Sequence, residues 1–398
     1  MKAWKLSPLA VALISINSYA VEPVGVALGN GLTLLPAVKL GVENNSNIYS
    51  TETNEQSDTI TRLTPSLNLL ADFGKTQAGA FYQAEQGVYS ADGTDDYLDQ
   101  TVNLGVSHEI TSRQQISAEA GYNDAHDARG SGTVEGSAAP AIDPDEYEEV
   151  TAGLEYVYGA DSAVGNVTAY VDSYQKRYSN NEIYGTEDRD HDKLNFGAIL
   201  SLTASPTNEV ILEARQTNIS YSEDSAVADA REGSEQRLLV GMRWDISGAT
   251  TGEFKVGRSS RFFDESSVSS NVRLAWEGSL TWQPLTYSTV VISSSQNSNE
   301  TNTTTSDYIA NTYTAASWDH EFSTYYSAGL TASVSSDDYV SDVNDRKDDL
   351  ISYGVNGTYS PMPTLDITLS YSQAKRDSNI KDFEYQNQVF NLGLNFAL

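Results

Sequence analysis

FNLGLNFAL, residues 390–398, ends the sequence, and its alternate positions separate into two sets. Phe390, Leu392, Leu394, Phe396 and Leu398 form one; Asn391, Gly393, Asn395 and Ala397 form the other. Side chains along a strand point alternately to opposite faces, so this stretch is a strand with one apolar and one small, polar face. Soluble domains more often finish in a polar tail that frays. The alternation recurs from about residue 36 onward. Val272, Leu274, Trp276, Leu280 and Trp282 share one face, as do Leu194, Phe196, Ala198, Leu200 and Leu202. Leu238, Val240, Met242, Trp244 and Ile246 repeat the pattern, and so do Leu365, Ile367, Leu369 and Tyr371. Stretches 209–222 and 287–298 are more ragged and read as strands with bulges.

The connections between these strands are of two kinds that take turns. Short turn signals fall at 73–76, 111–114, 159–165, 205–209, 247–252, 283–286, 322–324 and 360–364. Longer acidic loops rich in Gly, Ser and Asn fall near 49–57, 90–97, 125–146, 179–188, 223–233, 264–268, 297–306, 338–346 and 376–383. Together they join eighteen strands. A sandwich has no reason to segregate loop lengths to its two ends, whereas an antiparallel up-and-down barrel in an outer membrane has short turns on one side and long loops on the other. The fold class is therefore all-β: a transmembrane barrel spanning 36–398, preceded by a short periplasmic segment, 21–35. An even strand count puts both termini in the periplasm.

Residues 1–20 read as a secretory signal peptide: positive charge in MKAWK, the apolar run LSPLAVALISI, and small residues at Ser18 and Ala20. No later run approaches the ~18 apolar residues of a spanning helix. The chain has no cysteine, so an exported fold of this kind is held by hydrogen bonding and burial rather than by disulfides. A net charge of −31 argues against nucleic acid as a partner. Tyrosine is frequent at 24, which suits strands with amphipathic aromatic tips. Trp244, Trp282 and Trp318, with Tyr156, Tyr158, Phe254, Tyr287, Tyr325, Tyr326 and Tyr359, stand near the short turns. Tyr49, Tyr89, Tyr122, Tyr147, Tyr174, Tyr221, Tyr308 and Tyr371 stand toward the long loops. Two aromatic belts bounding a lipid-facing band are expected from this spacing.

With the apolar face outward, the other face names the lumen. On that register Lys39, Arg62, Arg215, Arg243, Lys255 and Arg273 point inward, with Glu43, Glu85, Glu155, Glu213, Asp245 and Glu277. Glu109, Glu119, Asp172, Glu253 and Asp366 fall on the same face. Sixteen to eighteen strands enclose a wet channel rather than a packed core, so the lining is expected to be of mixed sign and acidic on balance. These charges either pair across strands and solvate the wall or form a track for a polar solute. Carboxylates in DRDHD (188–192), ADGTDD (91–96) and SDVNDRKDD (341–349) have spacings that suit Ca²⁺, but none completes a binding-loop pattern and solvated loop tips are the simpler reading. The four histidines are far apart, no GxSxG occurs, and neither an enzyme nor a bound cofactor or metal is expected.

The C-terminal stretch resembles the assembly signal of bacterial outer-membrane barrels: Asn391, Gly393, Phe396 and Leu398 match its polar–glycine–hydrophobic–hydrophobic layout, with Leu398 in place of the usual terminal Phe. The stretch LLPAVKLGVENNSNIYS (34–50) resembles the first strand of the Putative beta-barrel porin 2 family, through Gly41, Asn44, Asn45, Asn47, Ile48 and Tyr49. The resemblance implies an outer-membrane barrel associated with export or assembly of extracellular or capsular polysaccharide. It further implies lipid, lipopolysaccharide and the barrel assembly machinery as partners, with polysaccharide or export-complex proteins as further candidates. A general diffusion porin and a plugged structural or adhesive barrel are the alternatives. An acidic lining repels uronic-acid polymers, so an exported glycan is expected to be neutral or weakly charged.

Overall fold

In a bilayer every backbone N–H and C=O must find its partner within the protein, which leaves strands only one arrangement, a closed ring. The computed structural model has that ring. It describes residues 25–91, 93–136, 143–160, 163–223, 225–246 and 248–398. The expected leader, 1–20, and residues 137–142 of the longest loop lie outside the described residues. A short strand β1 (Val26–Gly29) precedes β2 (Leu32–Asn45), β3 (Asp58–Asp72), β4 (Thr76–Tyr89), β5 (Tyr97–Thr111), β6 (Gln114–His126) and β7 (Glu146–Tyr158). Then come β8 (Gly165–Tyr178), β9 (His191–Ser205), β10 (Asn208–Tyr221), β11 (Gly233–Ile246), β12 (Thr250–Phe263) and β13 (Asn271–Leu285). The ring is completed by β14 (Ser288–Asn299), β15 (Tyr308–Ser323), β16 (Tyr326–Val340), β17 (Lys347–Met362), β18 (Leu365–Ser378) and β19 (Tyr385–Ala397).

Each long strand pairs antiparallel with its sequence neighbours, and β19 closes on β2, with Gly393 opposite Gly41 and Phe396 opposite Val38. The eighteen-strand reading and the alternation of short turns with long loops hold. Where the sequence suggested bulges, in 209–222, the β10 ladder runs unbroken from Glu209 to Tyr221; the irregularity lies at Asn208, beside the turn. Two prolines mark places where the ladder gives way. Pro36 sits just past the last β19 rung at Ala37, and its carbonyl accepts from the Leu398 N–H at 3.2 Å. Pro65 falls where the β3–β4 rungs lapse between Leu63 and Ser66. A residue without N–H fits only such positions.

The barrel strand begins four residues earlier than the alternation indicated, at Leu32 rather than 36. Residues before it are also ordered: β1 folds back antiparallel to β2, Val26 opposite Leu34. The Gly25 N–H donates to the Leu398 carbonyl at 3.1 Å. Thus β1 continues the line along β2 that β19 leaves at its last residue.

Burial is inverted relative to a soluble protein. Leu274 is 63% exposed and Leu238 and Leu369 62%, whereas Glu43, Glu213, Arg237 and Lys255 are buried. Exposed leucines at this density on one face are a surface for lipid, not for water. At the short-turn end, Tyr158, Phe254, Trp282, Tyr287, Tyr325, Tyr326 and Tyr359 are exposed, as one aromatic belt requires. Val240, in the middle of β11 on the apolar face, gives the test. Val240→Arg is expected to lower stability by about 2–4 kcal/mol, while Ser293→Arg on the other face of β14 costs under about 1 kcal/mol. Denaturant unfolding in lipid vesicles measures both.

Candidate functional site

The face opposite the leucines carries ion pairs that follow the register. Lys255 Nζ lies 2.7 Å from Glu213, 3.1 Å from Glu277 and 3.3 Å from Glu253. Arg215 donates to Glu277 at 3.1 Å and to Glu213 at 2.5 Å. Arg237 joins Glu277 at 3.1 Å to Glu235 at 2.5 Å, and Arg243 joins Glu209 at 3.2 Å to Glu253 at 2.7 Å. Arg215 stands on β10 and Glu277 on β13, with two strands between them, so their contact crosses the concave side of the curved wall. The structure thus brings Arg215, Arg243, Lys255, Glu213 and Glu277 into one nearly self-neutral network.

A second cluster occupies β2–β5. Arg62 pairs with Glu43 and donates from Nε to the Tyr97 hydroxyl at 2.9 Å, and that hydroxyl donates to Glu85 at 2.8 Å. Lys39 lies in the field of Glu85. Between the clusters, on β6–β8, the groups are acids: Glu119 and Asp172 crowd Gly153, where a Cβ would sit 3.1 Å from the Glu119 carboxyl and 3.0 Å from Asp172. Glu155 is buried beside them. Arg273 reaches over to Asp338 on β16 at 3.1 Å. Asp366 accepts from Ser360 at 2.5 Å. Asp245 is exposed near the short-turn end and joins neither cluster. Asn391 and Gly393 stand opposite Glu43 and Gly41, while Phe396 and Leu398 are 45% and 48% exposed on the leucine face.

Near the long-loop end this concave face carries several tyrosines among its charged groups. This corrects the expected second lipid-facing belt in part: Tyr122 and Tyr371 stand on the apolar face, opposite Val150 and Phe390, but Tyr147, Tyr174, Tyr221 and Tyr308 turn inward. The Tyr174 hydroxyl donates to Glu149 at 2.6 Å and that of Tyr221 to Glu300 at 2.5 Å, and Tyr308 is 1% exposed. Alternation with charged neighbours, not nearness to a loop, decides which way a tyrosine points. Tyr97 and His126 stack at 4.0 Å, Tyr147 and Tyr178 meet at 5.8 Å, and His191 lies 5.6 Å from Tyr174 and 5.7 Å from Tyr221. The result is an aromatic collar along β5–β10. Two glycines give it room. A Cβ at Gly87 would fall 2.1 Å from the Tyr97 ring and one at Gly197 2.0 Å from that of Tyr170, so these rings lie flat over bare backbone.

Above the collar the long loops interlock. In the 125–146 loop, Arg129 pairs at 2.7 Å with Asp95 of the β4–β5 loop, both side chains buried. Glu135 from the same loop meets Arg376 at 2.5 Å, Arg346 at 3.2 Å and the Asn302 amide at 2.8 Å, residues from the opposite side of the mouth. Arg346 itself lies 3.5 Å from the centre of the Phe383 ring. Arg189 ties Asp127 at 2.9 Å to Asp145 at 2.8 Å. From the β14–β15 loop, Glu300 enters the collar and is held by Lys193 and Arg261, each at 3.3 Å. The described part of the loop thus caps the mouth. The acidic stretches supply partners here: Asp188 accepts from Ser225 at 2.6 Å and Asp348 from Arg346 at 2.6 Å. Among the described residues no group of three or more His, Asp or Glu is placed to hold a metal. The latch left no motif in the sequence, since its arginines and acids lie up to 241 residues apart.

A family model described as Putative beta-barrel porin 2 matches residues 19–398. The chain belongs to this family. The porin-like barrel places it in the outer membrane of a Gram-negative bacterium. No curated protein shows significant similarity to the chain. Among solved structures, OccK2 (OpdF) of Pseudomonas aeruginosa is similar in fold, at 8% identity and TM-score 0.50, over 92% of this chain and 97% of that one. OccAB3 of Acinetobacter baumannii is 9% identical at TM-score 0.49, over 92% and 99%. The FrpB iron transporter of Neisseria meningitidis (F5-1 variant) is 10% identical at TM-score 0.45, over 94% and 83%.

The latch makes the cap testable. Burial alone would raise the Glu135 carboxyl, but Arg376 and Arg346 overcome it and hold the group below the ordinary 4.5. A lowered folded value means the latch is at full strength above pH 4.5 and weakens only as pH falls below it. Glu135→Ala takes from the buried Arg376 its carboxylate partner and leaves Arg346 with Asp348 alone, at a cost of about 3–5 kcal/mol. Amide exchange in residues 129–136 is expected to quicken by at least ~100-fold at pH 7, with the wild type moving toward that rate only in acid.

Proposed function

We propose that this barrel is a capped outer-membrane conduit associated with extracellular polysaccharide, its long-loop end facing outward and its concave face lining the passage. The aromatic collar carries the reading. Tyrosine rings set against carboxylates offer flat apolar faces beside hydrogen-bond acceptors, the combination that suits a pyranose ring, apolar on its faces and hydroxylated at its edge. The polymer is neutral or weakly charged: the basic groups on β10–β13 are already engaged by glutamates, and the β6–β8 wall is acidic and repels polyuronates. The family resemblance to exopolysaccharide-associated barrels supports the same class of cargo. A simple diffusion porin fits less well, because the interlocked loops cover the mouth that free solutes would use.

The closed mouth also favours a second reading, a surface barrel whose loops serve as a structural platform. Planar-bilayer conductance separates the readings. For a capped conduit, wild type carries little current and Glu135→Ala raises it severalfold with cation preference. Maltooligosaccharides then block the opened channel and polygalacturonate does not. Wild-type barrels that conduct freely and ignore both sugars would point to a diffusion porin, and variants still silent after the latch is cut would leave the platform.

A further inference from the structure

Among the described residues, and apart from the short lapse at Pro65, the wall is bonded all round except along one stretch. β13 and β14 pair only as far as Glu277 opposite Ser295. Beyond that rung β13 continues to Asn271, paired on its other side with β12, and β14 continues to Asn299, paired with β15. The two strands therefore part over the long-loop half of the wall. By contrast, the seam where the two ends of the barrel meet is bonded through Val389–Asn45 and beyond, by the Ser46 N–H to the Gln388 carbonyl at 3.0 Å.

What flanks the parting differs inside and out. Its outer lip carries Val272 and Leu274, 56% and 63% exposed. Inside, residues 297–299 line a polar cavity of about 370 Å³, together with Asn195, Arg237 and Glu235. Gln296, where the strands separate, is buried with its side-chain oxygen lacking a hydrogen-bond partner. An apolar lip in the bilayer opening on a hydrogen-bonding cavity matches a molecule with a tail and a hydroxylated head.

We propose that the parting between β13 and β14 is a lateral portal, through which a glycolipid of the surrounding leaflet seats its sugar headgroup in the cavity behind residues 297–299 while its alkyl chain stays in the bilayer. Identifying that leaflet as the outer one rests on the orientation proposed above; the portal itself does not. The cavity's mixed charge, Arg237 bound by Glu235, selects hydroxyls over a bare phosphate.

The chain has no cysteine, so an introduced thiol reports alone. In lipid nanodiscs, Asn299→Cys is labelled with a water-soluble maleimide in the presence of dodecyl maltoside below its micelle concentration, maltose, or maltoheptaose. The expected result is labelling slowed at least ~5-fold by dodecyl maltoside alone. Equal slowing by the tail-less sugars would mean the cavity is fed from the passage and overturns the portal, as would no slowing by any probe. Should that variant fail to assemble, Ser298→Cys gives the same reading. A second measurement addresses the parting itself. Two rungs past Glu277–Ser295, residue 275 falls opposite 297, so Ala275→Cys with Asn297→Cys spans the gap. Dodecyl maltoside is expected to slow disulfide formation there, and a rate indifferent to it overturns the proposal. Neither assay depends on ion conduction, so failure of the conduit reading leaves this one standing or falling separately.

Discussion

The ring closure between β19 and β2 is the constraint on which everything else depends. In lipid an unpaired strand edge has no water to turn to, so the last strand must find the first across the whole length of the sequence. The register there, Gly393 on Gly41 and Asn395 on Lys39, fixes which residues of both strands face lipid. A slip of one residue would exchange Leu392 and Leu394 for Asn391 and Asn395 on the outer surface. The N-terminal strand reinforces this point by bonding Gly25 to the carbonyl of Leu398. Register set at the seam then passes from strand to strand around the barrel.

Because the solvent outside is apolar, polar groups gather inside, and their energetics differ from those of a soluble core. A buried ion pair seldom gains much over a well-packed apolar pair, since desolvation offsets the attraction. The network of Arg215, Lys255, Glu213 and Glu277 is thus poorly explained as a source of stability. It does fix long side chains flat against the wall and cancels their charge locally. The carboxylates around Gly153 remain as a distinct acidic patch on the adjoining wall.

Strand number, connection lengths and the lipid face were legible in the sequence because each rests on local periodicity, which an alternating sheet in lipid preserves almost without exception. Leu238, Val240 and Met242 could hardly be read otherwise. The tyrosines were misread for an instructive reason. Tyr147, Tyr174 and Tyr221 are amphipathic, so nearness to a loop is compatible with either face, and only their register with Glu149, Lys176 and His191 settles it. The latch was not legible at all. Glu135 and Arg376 meet because the ring brings the loop after β6 over the mouth to the end of β18, and no local pattern encodes that.

Cap and parting are two consequences of the same geometry. Long loops at one end must go somewhere, and in this barrel they turn inward: Glu300, just past β14, enters the collar and binds Lys193 and Arg261. Drawing that loop inward also draws the end of β14, whose Ser298 side chain bonds Glu235 on the concave side. The rungs that β14 would otherwise share with β13 above Glu277 are then lost. Arg273 offsets part of the loss by bonding Asp338 of β16 from within. A covered mouth and an incomplete wall therefore arise together, and releasing Glu300 would be expected to alter both.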